Sequence, residues 1–448
     1  MMRFWKSIII FFFYKALFFS LVSISCLARE ATFYQDIQPI IHANCAVCHR
    51  PGEAAPFNLI TYEDVTKRSD FIRKVISSGY MPPWRANDHY TDFTNKRQLT
   101  QTQIQTIVSW IDADMPKGKI TLEAENKLLE RANAGTAYHR KPDLTLKMAK
   151  PYLQKGDGIE RFMVFRIPFE YPTESTIEAV EFTSNNKKII HHANFAVHPV
   201  EDPNIDIYNT VTQIDLGTDE KYTYDQWLPY KKKMTYYGGW IPGASIESYP
   251  AGVGWKMPKR GVILLTVHFG PAGKDAESLN GINFFFKNEP IQRTVKVISL
   301  GSGGIGQKDI DPPLMIFAND KSTHHLTVTN RNEDISLLYV WPHMHQIGAE
   351  FKAFATNLAN DTIPLVHIPN WDFRWQELYR YRNPIVLKRG AVINISGTFD
   401  NTEQNPANPF KPPKLILSDG DMRSDQEMLM LLLVYVVYEE GDENKTWD

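Results

Sequence analysis

Two histidines set two residues apart, His343 and His345, follow an apolar run from Leu337 to Trp341. In an extended backbone that spacing puts both imidazoles on one face, and His is the commonest protein ligand for copper and zinc. Three more histidines carry the same chemistry upstream. His191 and His192 are adjacent at the end of an apolar stretch; in a regular strand they point to opposite faces, so joint ligation requires an irregular backbone there. A buried plus an exposed histidine is the structural alternative. His268 shares a strand face with Val262, Leu264 and Thr266, and so apolar a setting demands a partner, for which a metal is one candidate. Met428 and Met430 begin the final apolar stretch, Met428 to Tyr438. By type they are core methionines. Beside His343 and His345, a thioether would instead make a site suited to cycling through Cu(I), a ligand that zinc rarely takes.

A different chemistry is written near the start. Cys45-Ala46-Val47-Cys48-His49 is the C-x-x-C-H pattern of covalent haem attachment, in which two thioethers fix the porphyrin and His49 binds iron. A redox dithiol and a metal clip are the competing readings. Thr32 and Gln35 are spaced as a capping box, and Phe33, Tyr34, Ile37, Ile40 and Ile41 form an apolar face leading into the motif. A second box, Thr100 with Gln103, opens a helix with Ile104, Ile107, Val108 and Ile111 on one side. Between them Gly79-Tyr80-Met81-Pro82-Pro83-Trp84 presents a thioether on a stiff loop, so Met81 is the expected sixth iron ligand. His42 and Met115 are read as structural. A His/Met axial pair fills both positions on iron and favours electron transfer over oxygen binding.

The elements that must position these groups fall into several compact units, because 448 residues exceed a single domain. Hydrophobic content of 43%, aromatic content of 12% and a formal charge of −2 describe a globular protein with no electrostatic case for binding nucleic acid. Residues 1–28 have Arg3 and Lys6 ahead of an apolar run and read as an export signal or a membrane anchor, with Cys26 as a lipidation alternative. The bulk of the chain is therefore expected outside the cytoplasm, periplasmic or at the cell surface. Only Cys45 and Cys48 remain after cleavage, which excludes a disulfide scaffold. Residues 119–140 are polar and read as a linker, with a short helical pattern from Leu122 to Arg131. After Pro142 come short β-rich runs: Arg161 to Phe169, Ser175 to Phe182, Lys188 to Val197 and Gly261 to Phe269. Punctuation by Pro and Gly suits a β-sandwich. A further β-rich unit spans residues 302–440.

Residues 31–118 resemble the cytochrome c family in motif order: amphipathic helix, C-x-x-C-H, methionine loop, closing helix. Residues 141–440 resemble the copper type II, ascorbate-dependent monooxygenases, whose best-known members hydroxylate peptidylglycines and dopamine. The order His191-His192, His268, His343-x-His345, Met428 carries this likeness. So do Lys141-Pro142-Asp143-Leu144, Trp240-Ile241-Pro242-Gly243, Pro250-Ala251-Gly252-Val253-Gly254, Val267-His268-Phe269-Gly270 and Gln426-Glu427-Met428. The implied architecture is multidomain: a small all-α cytochrome c domain, then two all-β, jelly-roll-like sandwiches at residues 141–301 and 302–440, each with one copper. His191, His192 and His268 would hold the electron-storing copper; His343, His345 and Met428 would hold the catalytic one. The family match and the preceding glutamate select Met428 over Met430.

The resemblance implies hydroxylation of a C–H bond with O2, using two copper ions and one covalent haem c. An external donor, an ascorbate-like reductant or a redox protein, would supply the electrons. In the peptide hydroxylases an arginine two residues before His-x-His, and an asparagine and a tyrosine two and four after the methionine, recognise the substrate carboxylate. This chain has Trp341, Met430 and Leu432 there, which points to an apolar or aromatic substrate. An exported haem and copper electron-transfer or copper-binding protein without oxygenation is the alternative. Because ligating imidazoles must be neutral, metal affinity is expected to fall as pH drops toward the ordinary histidine range, with copper retention at pH about 4.5 counting against the site. His89, His139, His198, His324, His325 and His367 are read as strand or loop residues.

Overall fold

The computed structural model describes residues 29–120, 140–218, 225–244, 246–418 and 426–446, with residues 123, 126 and 223. The export segment, most of the linker and His139 lie outside the described residues. The protein is mostly β, with its helices gathered near the start of the chain.

A π-type turn, Phe33–Ile37, runs into helix α1, Gln38–Asn44, followed by α2, Tyr62–Thr66, α3, Ser69–Ser77, and α4, Gln101–Asp112. Phe33, Ile37, Ile41, Ile72, Ile76, Ile107 and Trp110 make their shared core, as the apolar faces of the first and last helices require. The capping box at α4 forms as expected, with the Thr100 amide donating to Gln103 at 2.9 Å and the Gln103 amide to Thr100 Oγ1 at 3.2 Å. The one expected at Thr32 does not. Asp36 Oδ2 takes the Thr32 amide at 2.7 Å instead, while Gln35 binds Arg29. An acidic residue one position further on reaches that amide because the first turn is wider than an α-turn.

The longer strands are β1, Leu144–Lys147; β2, Arg161–Glu170; β3, Ser175–Ser184; β4, Ile190–Pro199; β5, Tyr236–Trp240; β6, Val253–Met257; β7, Arg260–Phe269; and β8, Asn280–Phe286. They form two sheets, one containing β1-β8-β3-β6 and the other β2-β7-β4-β5 in that order. Phe165, Phe195, Ile263, Leu265 and Val267 from the second sheet meet Ile177, Phe182, Trp255, Ile282 and Phe284 from the first in a common core. This leaves the even-numbered face of β7, Val262 to His268, turned outward, as the alternation in sequence requires.

The remaining strands repeat the plan: β9, Lys296–Gly301; β10, Lys321–Thr329; β11, Ile335–His343; β12, Gly348–Thr356; β13, Thr362–Ile368; β14, Tyr379–Leu387; β15, Val392–Asp400; and β16, Met430–Val437. A sheet ordered β9-β16-β11-β14 packs over one ordered β10-β15-β12-β13. In β16, Leu431, Leu433 and Tyr435 face that core, whereas Leu432, Val434 and Val436 join the core of the preceding sheets. A strand apolar on both faces is thus explained: it is covered on both.

Candidate metal centres

His192 and His268 are register partners across β4 and β7, so their side chains share the outward face. The ladder then slips: His268 pairs with His192 but Phe269 pairs with Ile190, which makes His191 the extra residue of a bulge. This is the irregular backbone that the adjacent pair demands, and it swings His191 to the same side. His191 Nδ1 lies 3.1 Å from Nδ1 of His192 and 3.1 Å from Nδ1 of His268. A neutral ring nitrogen offers either one proton or one in-plane lone pair, so it cannot make two good hydrogen bonds here. Three lone pairs directed at one cation remove that conflict, and donors about 2.0 Å from a tetrahedral ion stand about 3.3 Å apart. His268 Nε2, on the far side of its ring, is 3.3 Å from Glu160.

The second group is built at the end of β11. A bulge between Leu337 and Tyr339 shifts the alternation, so that Tyr339 and Trp341 face the preceding sheets and Val340 and Met344 face the local core. His343 follows on the outward face, with Met430 as its register partner. Its Nδ1 donates to Gln376 Oε1, and His345 Nδ1 donates to the Gln426 carbonyl at 3.0 Å. Each contact fixes one ring nitrogen and leaves Nε2 as the donor atom for a metal, the usual division of labour for a ligating histidine. Glu427 is completely buried and takes the amides of His345 at 2.8 Å, Ile347 at 2.9 Å and Met428 at 3.3 Å. It therefore stitches the His-x-His turn to the methionine.

Strand β16 begins at Met430, two residues later than the sequence suggests, because Met428 sits in the stretch held by Glu427. Met428 and Met430 are both buried, yet neither belongs to an apolar core. Both lie at the histidine end of the sheet.

The two groups are neighbours. The rings of His192 and His343 are 6.4 Å apart, centroid to centroid, and those of His343 and His345 are 5.0 Å apart. Burial, with His268 beside it, drives His191 down to about 3; burial also drives His343 to about 4, against the Gln376 contact, and puts His192 well below the ordinary range. These imidazoles are held neutral and ready to donate lone pairs, which moves the pH window expected from sequence downward by two units or more.

In the helical segment, His49 Nδ1 donates to the Phe57 carbonyl at 2.9 Å, so Nε2 is the ring nitrogen that could act as a ligand. Burial pushes the Cys45 thiol up to about 12 and raises Cys48 as well. Burial thus disfavours the thiolate form of both side chains. Met81 lies half-buried after α3, its amide on the Val75 carbonyl at 3.1 Å. Beside Cys48, buried Arg97 pairs through Nη2 with Glu377, while its Nε and Nη1 have no acceptor among the described residues. An anionic group attached at Cys48 would meet that guanidinium edge. An open crevice of about 490 Å³ lies between Val47, Arg50 and Glu53 on one side and Trp240 and Gly243 on the other, away from the histidines.

Four other histidines have ordinary partners. His42 donates to the Ile60 carbonyl, His198 to that of Lys233, and buried His324 to that of Pro312; His367 contacts Glu350. Met115 packs at the edge of the helical core and its carbonyl accepts from Tyr62. Gln376 and Phe373 escape sequence reasoning, because they come from an irregular loop 28 or more residues from any histidine of the sites.

No family model matches the chain, and no curated protein matches it. Among solved structures, that of the infectious bursal disease virus Gx strain shows 8% identity over 70% of this chain and 86% of that chain, with a TM-score of 0.15. The VP2 subviral particle of the same virus shows 9% identity over 69% and 85%, with a TM-score of 0.16. Similarity at that level carries no argument.

Proposed function

We propose that this chain is an exported, copper-dependent monooxygenase that hydroxylates a C–H bond of an apolar or aromatic organic substrate with O2, with electrons delivered through a fused c-type haem. In this reading residues 31–118 are an all-α cytochrome c domain, and residues 141–301 and 302–440 are jelly-roll-like sandwiches of the copper type II monooxygenase kind. The observation that carries it is the convergence of three Nδ1 atoms at His191, His192 and His268 beside a second pair, His343 and His345, whose Nδ1 atoms are already engaged. One electron-storing and one catalytic copper supply the redox chemistry and O2 activation when bound.

The chain's own residues supply the rest. The bulge at His191 aims three imidazoles at one point, and Gln376, Gln426 and Glu427 fix the second pair and the stretch bearing Met428. Cys45, Cys48 and His49 would hold the haem, with Met81 as the sixth ligand. Burial keeps water away and holds His191, His192 and His343 neutral. Trp341, in the position of the carboxylate-binding arginine of the peptide hydroxylases, packs over Gly239 and donates through Nε1 to the Gln376 carbonyl at 2.9 Å. A structural residue there supports a substrate without a free carboxylate.

Metal and haem content of protein matured in a haem-attaching host tests the reading. Two coppers per haem, falling to one in His343→Ala, is the expected result; no stoichiometric copper overturns it. Replacing Met428 separates an oxygenase, which loses hydroxylation while haem reduction persists, from an electron carrier, which loses only copper affinity or potential.

A further inference from the structure

Phe373 stands at the centre of the histidines. Its ring centroid is 4.8 Å from that of His191, 5.9 Å from His192, 6.0 Å from His268 and 5.7 Å from His345. It is half-buried, like His191, whereas His192, His268, His343 and His345 are buried, so the phenyl ring lies nearer to solvent than those four. Phe373 is not a core residue: it belongs to an irregular turn closed by the Trp375 amide on the Asp372 carbonyl at 2.8 Å. The Phe373 carbonyl accepts from Gln376 Nε2 at 2.8 Å, and the same Gln376 takes the proton of His343 Nδ1.

Both neighbours of Phe373 are held by the helical segment. Arg85 donates to Asp372 at 3.1 Å, and Arg374 donates to Tyr80 Oη at 3.3 Å while bridging back to Asp372 at 2.7 Å. Tyr80 and Arg85 flank Met81 in the stiff loop Gly79 to Trp84 and just beyond it. We infer that Phe373 is an aromatic lid over the paired histidine sites, tethered shut by Tyr80 and Arg85, and that substrates enter by taking the place of its ring. The inference rests on the copper reading above and sharpens its substrate class. A flat apolar or aromatic group recovers the contacts that the phenyl ring gives up to the imidazoles, whereas a charged group would lose hydration without recovering them. Phe373 is thus a positioning and specificity-determining residue.

Azide binding to the oxidised copper of the full haem-bearing chain measures access without turnover. In Phe373→Ala, azide affinity should rise about tenfold or more with copper content unchanged, and Phe373→Leu should fall between the two. Releasing the tether in the Tyr80→Phe, Arg85→Ala double variant should raise access with Phe373 intact. A second measurement needs no copper: carbethoxylation of His191, His192, His268, His343 and His345, mapped by mass, should be at least fivefold faster in Phe373→Ala than in wild type. Azide affinity and labelling rate within twofold of wild type in both Phe373 variants overturn the lid. Wild-type protein that binds no copper overturns the oxygenase reading instead, and the labelling rate still judges the lid.

Discussion

Glu427 is the most constrained side chain at the second site. Burial pushes its carboxyl up to about 8, opposed by the three amides that it accepts. Glu427→Gln keeps the volume but turns one acceptor into an NH2 facing an amide donor, an unmet pairing worth about 1–3 kcal/mol. The expected outcome is a thermal midpoint lowered by several degrees, and copper affinity at His343 and His345 weakened about 10- to 100-fold by titration, as for other partners that orient metal ligands. The buried imidazoles make a separate prediction. His343 in the folded chain titrates near 4 and in the unfolded chain near 6.5, so between those values the unfolded state binds the extra proton and stability falls as pH falls. The window is worth roughly 3 kcal/mol for this residue. Urea unfolding of the copper-free protein at pH 7 and pH 4.5 should show that loss, while copper stays bound at pH 5 because burial keeps His191, His192 and His343 neutral there. Release of copper near pH 6.5 would mean that burial does not govern these rings.

At the scale of elements, two bulges do the aiming, and a tight crossing holds the two sheets in register. The outward face of β5 meets β11 where the Trp341 indole covers Gly239; a Cβ built on Gly239 would lie inside that ring. Tyr339 Oη reaches the Ser248 carbonyl at 2.5 Å nearby. Gly239→Ala should therefore cost about 1–3 kcal/mol by overpacking and weaken copper at both sites together, since it pushes His192 and His343 apart. Equal weakening at both sites, read by copper titration, is the expected signature; loss at one site alone would show that the crossing does not set their spacing. Much of this was legible in the chain. Period-two alternation in β7 marked the face that His268 shares with Val262 and Leu264, the spacing of His343 and His345 put them on one side, and the adjacent pair His191-His192 announced that joint ligation needs an irregular backbone. The bulge position, the slip before Tyr339, and the partnership of Gln376 with His343 were not legible. They depend on which strand lies alongside, and no local pattern in β4 or in the loop after β13 encodes its distant neighbour.

On the scale of the whole molecule, the helical segment is strapped across the second pair of sheets. Residues after Met81 run along β14: Phe93 bridges to Tyr381, Phe93 and Trp84 pack on Tyr379, and the Asn87 amide donates to the His367 carbonyl at 2.8 Å. The strap ends in the buried pair Arg97 and Glu377, with Asn95 donating to the Leu378 carbonyl at 2.7 Å. Glu377 follows Gln376, so the pair connects the crevice beside Cys48 to the residue that orients His343. Removing one member of a buried ion pair leaves an uncompensated charge and costs about 3–5 kcal/mol, whereas replacing both with apolar residues of similar volume is close to neutral. Arg97→Met should therefore lower stability by that amount and loosen copper at His343 and His345, while Arg97→Met with Glu377→Leu should recover most of the stability. Recovery of stability without recovery of haem properties is the informative result. It would assign the guanidinium a role at the Cys48 edge, read as a shift in haem reduction potential, beyond its role as a clamp. A double variant restored in both respects would confine Arg97 to the clamp alone.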